Sequence, residues 1–490
     1  MIYDTLITNV KIVRPNKTAI IEDGLIVVKD GKIIYANTSK DVPFEVDKST
    51  AYDGKGFLAF PGLVDAHMHT GIYNPLGEDA ISESKAAAMG GVTSSLNYMR
   101  TGKYYLNKTG SYDSFFPEVL EISKNNFHVD YAYHIAPINY SHIDEIELLI
   151  EKYGVTSFKI FMFYGNYGLH GNSSAQKEFL MTPDGEFYDY AHFEFVMRGV
   201  QRAVAKFPHL ANDISLGLHC ETAEIMRAYT EIVQKEGTLK GLPAYSAARP
   251  PHSEGLAIFI ASYLANETDC VNINLLHLTS KKAVDAAMMM QVCFPHINFK
   301  REVTLAHLIL DYDCECGLHA KVNPPIRSRQ DVEYLWNHLL EGNIDWVCSD
   351  HACCKAEFKV DTTDKENVWL AKSGFGGTEF LLSGLYSEGT KRGLSLNRMA
   401  ELTSWNPAQR FGLRSKGDIA EGFDADIVLI NPEENFIVSS AVSPSTQAYS
   451  VFEGQTFSGA VKATFLRGNL IYENGEVIGE AKGNYLHRPY

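Results

Sequence analysis

The sequence predicts an α/β fold in which a (β/α)8 TIM barrel is joined to a small β-sandwich module built from both chain ends. Three observations carry this prediction. The middle of the chain alternates between short apolar strands and helical stretches, which is typical of βα units around a parallel sheet. Eight strand candidates occur there over roughly 350 residues, which fits a barrel enlarged by insertions. Both chain ends instead consist of short strands separated by turns.

Each chain end contributes strands to the predicted β-sandwich module. Near the beginning of the chain, "GLIVVKDGKIIYA" places a turn between two alternating apolar runs, which indicates a β-hairpin. Near the other end of the chain, the stretch "KATFLRGNLIYENGEVIG" also consists of short strand-like runs separated by turns. We therefore predict that residues 1–55 and 413–490 form the module, the latter with a terminal arm, and that residues 56–412 form the barrel.

The predicted barrel strands follow one another along the middle of the chain. Several precede good helical patterns, such as "TAEIMRAYTEIVQKEG". A doubly wound sheet is the alternative, but no GxGxxG loop follows the first strand. The strand candidates are "GFLAFPGLVDAHMH", "GVTSSLNYM", "HVDYAYHIAPI", "VTSFKIFMFY", "ISLGLHCE", "VNINLLHLTS", "INFKREVT" and "IDWVCSDHA".

Composition describes an ordinary globular protein and limits its partners. Hydrophobic residues make up 45% of the chain, and the formal net charge of −16 argues against nucleic acid or an anionic membrane surface as a partner. No apolar run approaches the length of about 18 residues that a membrane span needs, and no secretory leader is visible. We expect a cytoplasmic protein with reduced cysteines. "CEC" and "ACC" could bind soft metals, but neither has a partner pair at zinc-finger spacing.

Residue types that bind metals recur at the ends of the predicted strands. His67 and His69 stand two residues apart in "DAHMHTG", so both imidazoles face the same side of an extended strand. His219, His277 and Asp350 end the fifth, sixth and eighth strands. Because the carboxyl ends of barrel strands surround one face, these side chains are expected to converge there. Imidazole nitrogens and a carboxylate suit Zn²⁺ and related divalent ions.

Lys159, in the fourth strand, is the unusual member of this group, because an ammonium group repels a cation. Its neighbours in "FKIFMFY" are apolar, so an uncompensated charge there would be costly. Reaction of the neutral amine with CO2 would produce a carbamate, whose oxygens can bridge two metals. Each histidine could singly be a buried structural residue, and Asp350 could cap a helix. The joint pattern favours a metal centre.

The order of these ligands resembles the amidohydrolase superfamily, in its cyclic amidase branch of dihydropyrimidinases, hydantoinases, allantoinases and dihydroorotases. The resemblance spans nearly the whole chain. "PGLVDAHMH" is similar to the first metal motif of these enzymes, and "SFKIFMFY" is similar to the dihydropyrimidinase segment with the carboxylated lysine. Further similar stretches are "ARPPHSEGLAI", "VNPPIR", "CSDHA", "TSWNPAQRFGL" and "GDIAEGFDADIVLI".

The resemblance implies two divalent metal ions, expected to be Zn²⁺, bridged by a CO2-derived carbamate on Lys159. The more buried ion would be bound by His67, His69, Lys159 and Asp350, and the second ion by His219, His277 and Lys159. A hydroxide between the metals would attack the amide, and Asp350 would pass its proton to the leaving ring nitrogen. Tyr164 would donate to the developing oxyanion.

The implied activity is hydrolysis of the amide bond of a cyclic amide or ureide with a hydantoin-like or dihydropyrimidine-like ring. Tyr164, Asn323 and Ser373 are the implied substrate-binding residues, although Asn323 and Ser373 replace a serine and an asparagine of the dihydropyrimidinases. Gly71 stands where dihydroorotases have an arginine for the substrate carboxylate, so dihydroorotate is expected to be a poorer substrate. The loop "GNYGLHGNSS" after Tyr164 is expected to cover the substrate.

Other activities remain open at this point. They include allantoinase-like or dihydroorotase-like activity and cyclic-imide hydrolysis. A non-catalytic dihydropyrimidinase-like scaffold is disfavoured because every ligand position is filled, and a deaminase is disfavoured because those relatives usually lack the strand-four lysine. The resemblance also implies a homotetramer in which the tail "GNYLHRPY" packs on a neighbouring subunit.

Overall fold

A computed structural model describes residues 3–47, 49, 51–102, 106–164 and 185–490 as a parallel barrel and a second, mixed sheet. The strands are β1 (Thr5–Ile12), β2 (Ile21–Lys29), β3 (Lys32–Thr38), β4 (Tyr52–Pro61), β5 (Leu63–Met68), β6 (Val92–Met99), β7 (Asp130–Ile135), β8 (Ser157–Phe161), β9 (Ser215–His219), β10 (Asn272–Leu275), β11 (Asn298–Thr304), β12 (Trp346–Cys348), β13 (Ile427–Ile437), β14 (Thr456–Leu466), β15 (Asn469–Glu473) and β16 (Glu476–Val477).

The helices lie mainly between the barrel strands. They are α1 (Leu76–Met89), α2 (Tyr112–Ser123), α3 (Tyr140–Asp144), α4 (Ile146–Tyr153), α5 (Tyr190–Lys206), α6 (Ala223–Glu236), α7 (Gly241–Ala248), α8 (Pro251–Glu267), α9 (Lys281–Cys293), α10 (Leu305–Ile309), α11 (Arg329–Leu340), α12 (Ala356–Lys359), α13 (Leu381–Lys391), α14 (Leu396–Ala400) and α15 (Asn406–Arg410). None of the helices in the described ranges combines the length and apolar character that crossing a membrane requires.

Strands β5 to β12 form the barrel in chain order. Its first and last strands meet where Met68 bridges His351 and the His69 N–H donates to the His351 carbonyl at 2.7 Å. Strands such as β6 and β7 are buried along their whole length, because a barrel sheet is covered on both faces. This burial accounts for the apolar residues that mark the strands in the sequence, although β6 also buries Thr93, Ser94, Ser95 and Asn97. The predicted TIM barrel is confirmed, and all eight strand candidates contain one of its strands.

The mixed sheet unites the two ends of the chain, as predicted. Its order is β16-β15-β14-β13-β4-β1-β2-β3, and β13 pairs antiparallel with β4. The stretch "GFLAFPGLVDAHMH" therefore serves both sheets, since β4 belongs to the mixed sheet and β5 to the barrel. Gly62 separates them, and a Cβ at this position would lie only 2.3 Å from the Thr93 hydroxyl oxygen. The predicted boundary after residue 55 falls inside β4.

The C-terminal tail packs against its own barrel, at the amino ends of the strands. The Leu486 N–H donates to the Tyr131 carbonyl at 2.8 Å, and the buried Arg488 guanidinium donates to the Ser157 hydroxyl at 2.6 Å. Gly483 lies so close to Val129 that a Cβ would meet its carbonyl oxygen at 1.9 Å. The tail therefore has these hydrogen-bond partners within its own chain, and its packing on a neighbouring subunit stays a prediction.

Candidate metal centre

The predicted ligands come together at the carboxyl ends of the barrel strands. Histidines occupy the end of β5 and the last position of β9, and the lysine lies in the middle of β8. His277 and Asp350 each follow the last residue of a strand by two positions. Both adopt left-handed backbone conformations, with φ of 34° and 52°, which few non-glycine residues adopt and which are enriched at functional sites.

His67 forms the centre of the first group of ligands. Its Nε2 lies 3.1 Å from Lys159 Nζ and 3.1 Å from Asp350 Oδ1, and the same oxygen is 3.3 Å from His69 Nε2. Two donors that each lie about 2.0 Å from one tetrahedral zinc ion are separated by roughly 3.3 Å. The separations and the donor types therefore fit a shared divalent ion.

Glu302 determines which nitrogen of His67 faces that group. The His67 Nδ1–H donates to Glu302 Oε1 at 2.7 Å, so Nε2 retains the lone pair that a metal needs. The same carboxylate accepts from the Trp346 indole N–H at 2.8 Å and from the His277 backbone N–H at 3.1 Å. Glu302 was missed by the sequence interpretation. The available signal was the acidic residue of "KREVT" in β11, which begins the buried end of that strand.

His219 and His277 form the second group, with ring centroids 4.3 Å apart. The His277 ring centroid is also 5.4 Å from that of His67, so the two groups are continuous. Nδ1 of His277 is buried and has no hydrogen-bond partner among the residues that the structure describes. An imidazole nitrogen left in this way fits a metal ligand, because buried polar atoms are otherwise almost always paired.

His219 is oriented by a buried ion pair that the sequence interpretation also missed. Its Nε2–H donates to Glu221 Oε2 at 2.7 Å, which leaves Nδ1 as the nitrogen that can coordinate. Arg249 donates from both Nε and Nη2 to Glu221, the first at 2.9 Å. Glu221 follows His219 by two residues in "HCE", and Arg249 is the arginine of "ARPPHSEGLAI". Both residues therefore belong to motifs that the sequence already marked as functional.

Burial sets the protonation of the centre. It lowers the pKa values of His67, His69 and His277 well below the usual histidine value, and this favours the neutral form that binds metals. Burial also lowers the pKa of Lys159 to about 8, against the opposing effect of Asp350. The pKa of Asp350 is raised by burial, although His67 and Lys159 act in the opposite direction.

One pocket contains the remaining site residues. Tyr164, Asn323 and Ser373 line it together with His69, Lys159, His219, His277 and Asp350, whereas His67 is fully buried behind them. The structure thus brings all the predicted site residues together. The predicted covering loop "GNYGLHGNSS" lies outside the described residues.

Hydrogen bonds connect the polar side of the pocket to the second ligand group. Arg249 Nη1 donates to the Tyr245 hydroxyl at 3.1 Å, and this hydroxyl donates to Asn323 Oδ1 at 2.5 Å. Asn323 is therefore linked through Tyr245, Arg249 and Glu221 to His219. On the opposite side, the Tyr73 hydroxyl donates to the Ser373 carbonyl at 2.5 Å.

A barrel with a histidine-rich, carboxylate-containing pocket at its strand ends defines the class of metal-dependent hydrolases. A sequence profile of the amidohydrolase family matches residues 212–471, more than half of the chain, and the chain belongs to this family. It is 29% identical to an allantoinase of Escherichia coli over 480 residues, which are 96% of each chain.

Solved structures show the same architecture over the whole length of the chain. The L-hydantoinase (dihydropyrimidinase) of Arthrobacter aurescens superposes with a TM-score of 0.84 at 25% identity and 99% coverage of each chain. The dihydropyrimidinase of Brevibacillus agri has a TM-score of 0.82 at 24% identity, and 99% of this chain and 98% of that chain are covered. The predicted membership of the cyclic amidase branch is confirmed.

Proposed function

We propose that the protein hydrolyses the amide bond of a cyclic amide or ureide with a hydantoin-like or dihydropyrimidine-like ring. The observation that carries this proposal is the convergence of ligand-type histidines, Lys159 and Asp350 beside Tyr164 in one pocket. Family membership and the hydantoinase and allantoinase relatives favour the same class of substrate.

We propose that the site holds two divalent ions, expected to be Zn²⁺. The donor types and the 3.1 and 3.3 Å separations around Asp350 support one ion, and the unpartnered His277 nitrogen beside His219 supports the other. Lys159, which is 1% exposed, would join the two groups as a carbamate formed with CO2. When bound, such ions lower the pKa of water and polarise an amide carbonyl.

Asp350 and Tyr164 would carry the protons of the reaction. The Asp350 carboxylate lies beside the ligand nitrogens, and burial raises its pKa and so makes it a better proton acceptor. It would take the proton of the attacking water and pass it to the leaving ring nitrogen. Burial also raises the pKa of Tyr164, which keeps its phenol protonated and able to donate to the carbonyl oxygen as negative charge develops.

The residues that line the pocket favour a substrate with a neutral ring over one that carries a carboxylate. No arginine is found among the described residues that line it. Gly71 has a φ of +83°, and a Cβ there would lie 3.1 Å from the Leu76 backbone, so this backbone conformation disfavours an arginine. Arg327 is occupied elsewhere, since it donates to Glu254 and, at 3.0 Å, to the Thr279 hydroxyl.

Allantoin is the second candidate substrate, and the observation that favours it is the similarity to allantoinases over nearly the whole chain. Allantoin is itself a hydantoin ring that carries a polar ureido substituent. The Asn323 and Ser373 side chains are polar groups in the pocket lining that such a substituent could contact.

A ring-opening assay on a substrate panel tests these proposals. Metal-loaded protein is given hydantoins, dihydrouracil, allantoin, dihydroorotate and a cyclic imide at one pH, and kcat/KM is compared. We expect a hydantoin, dihydropyrimidine or allantoin ring to be opened much faster than dihydroorotate. Asp350→Asn should lower turnover on every substrate by on the order of 10³-fold. Failure to open any ring, or a preference for dihydroorotate, would contradict the proposal.

We also propose that the protein is a homo-oligomer, and a tetramer, which the family resemblance implies, is the expected state. Large apolar side chains on the outer faces of α8 and α9 support association, since Tyr263 is 57% and Val292 is 80% exposed. Sedimentation of the purified protein should show an assembly, and a stable monomer would contradict this proposal.

A further inference from the structure

Cys314 and Cys316 form a thiol pair on the loop between α10 and the helical turn at residues 317–320. Their sulfur atoms lie 2.9 Å apart, in hydrogen-bond contact. Both side chains are partly exposed and line an open surface cavity with His319 and Tyr449, outside the metal centre. Five of the other six cysteines are buried. The pair is therefore close enough to react and accessible to a small oxidant.

The surroundings of Cys314 lower the pKa of its thiol. The hydrogen bond from Cys316 lowers the pKa of the Cys314 thiol, and the backbone N–H groups of Cys316 and Gly317 act in the same direction, whereas burial and the charge of Asp311 oppose them. A thiolate is the nucleophilic form of cysteine, and a neighbouring thiol can resolve its oxidised form. The loop thus contains both partners of a dithiol oxidation.

The thiol pair is connected to the substrate pocket by a short segment. After Cys316 the chain forms the turn at residues 317–320 and reaches Lys321, whose carbonyl accepts the Gly374 N–H at 2.9 Å. Buried Lys359 donates to the Lys321 carbonyl at 2.8 Å and to the Gly374 carbonyl at 2.6 Å. The next residues, Val322 and Asn323, line the pocket together with Gly374.

We propose that Cys314 and Cys316 are a redox-active pair that a peroxide converts into an intrachain disulfide, and that this conversion alters substrate binding through residues 317–323. The Cys314 thiolate attacks hydrogen peroxide, the O–O bond breaks and its sulfur becomes a sulfenic acid; the hydroxide released takes up the proton that the thiol had given up and leaves as one water. The Cys316 thiol then attacks that sulfur, the S–S bond forms, and a second water leaves. Each peroxide takes two electrons from the pair and is fully reduced.

Mass spectrometry of the metal-loaded protein tests the oxidation step without any activity measurement. After mild peroxide treatment and alkylation of the remaining thiols, the peptide with residues 314 and 316 should lose two hydrogen atoms and two alkylation sites, and dithiothreitol should restore them. In Cys316→Ser, a sulfenic acid should remain on Cys314 and be trapped by dimedone. Exposed Cys293 is the internal control. Oxidation of Cys314 no faster than that of Cys293 would overturn the proposal.

The coupling to the pocket rests on the proposed function and has a separate readout. With the preferred cyclic amide, KM should rise by on the order of fivefold on oxidation, the lower end of allosteric coupling, while kcat and metal content stay unchanged. Cys316→Ser should show no such rise. Complete disulfide formation with an unchanged KM would overturn the coupling. If no ring is opened at all, the mass measurement still decides whether the pair is redox-active.

Discussion

Two buried lysines at opposite ends of the barrel differ in their surroundings. Lys159 lies at the carboxyl ends of the strands among imidazoles, and Lys416 lies at the amino ends among carboxylates; each is 1% exposed. Lys416 Nζ is 2.7 Å from Asp426, 2.8 Å from Asp130 and 3.2 Å from Asp424.

Opposite pKa shifts follow from these surroundings. Burial lowers the pKa of both lysines, but at Lys416 the charges of Asp130, Asp426 and Asp424 outweigh it and raise the pKa above its usual value. At Lys159 burial prevails over Asp350, and the pKa falls to about 8. One residue type therefore serves two purposes in this barrel. Lys416 is a fixed charge that ties β7 to the segment directly before β13, whereas Lys159 can become a neutral, reactive amine.

Replacing Lys159 is the strongest test of this difference. Lys159→Ala should lose bound metal and reduce ring opening to background, because the proposed bridge between the two ligand groups is removed. Short carboxylic acids should partly restore both by filling the gap with oxygen donors. Metal analysis and activity are measured on the same sample. If Lys159→Ala kept both ions and full turnover, Lys159 would have no role in the metal centre.

Lys416→Met tests whether Lys416 contributes to the stability of the fold and not to metal binding. We expect a loss of about 3–5 kcal/mol in the free energy of unfolding, because three buried carboxylates lose the counter-charge that they share, and only Asp130 and Asp424 keep another cation, Arg467 and Lys32 respectively. Urea unfolding of the metal-loaded protein measures the loss. Metal content per folded molecule should stay at the wild-type value. If Lys416→Met lost metal as Lys159→Ala is expected to, the proposed division between a structural lysine at the amino end and a metal-centre lysine at the carboxyl end would be wrong.

Tyr164→Phe tests whether a side chain at the carboxyl ends of the barrel strands takes part in the reaction itself. Turnover should fall by on the order of a hundredfold, the usual cost of one oxyanion donor, with both metals retained. Tyr112→Phe is the matched control, since this buried tyrosine donates at 2.6 Å to the Ala136 carbonyl and does not line the pocket. Wild-type kinetics for Tyr164→Phe on the preferred substrate would make it a packing residue.

Glu221→Gln should have the smallest effect of the four variants Lys159→Ala, Lys416→Met, Tyr164→Phe and Glu221→Gln. Weakening the carboxylate that orients His219 is expected to lower metal affinity by about tenfold, measured by competition with a chelator. Glu254→Gln is the matched control, because Glu254 also pairs with a buried arginine, Arg327, but touches no ligand histidine. Equal losses of affinity in the two variants would show that the effect comes from general destabilisation.

The sequence alone was sufficient for the barrel and for the identity of the candidate ligands. Fully buried parallel strands read as apolar runs, and this signal is local to each strand. The carboxyl ends of such strands surround one face, so His219, His277 and Asp350 could be predicted to meet His67 and Lys159 before any contact was known. Residue roles, the identity of the metal and the oligomeric state remain predictions.

The tertiary structure decided which charged groups are partners and where the two sheets divide. Glu302 orients His67 directly, and Arg249 holds the Glu221 carboxylate that orients His219. Sequence motifs contain these residues, but no local pattern shows that Glu302 contacts His67 or that Arg249 contacts Glu221. The Lys416 cluster likewise joins Asp130 to Asp424 and Asp426 across nearly three hundred residues. Gly62 lies where one apolar run passes from one sheet to the other, and Thr93 packs too closely against it to leave room for a Cβ. Apolar periodicity is a property of neighbouring residues, whereas the partner of a buried charge is fixed only when distant segments pack together.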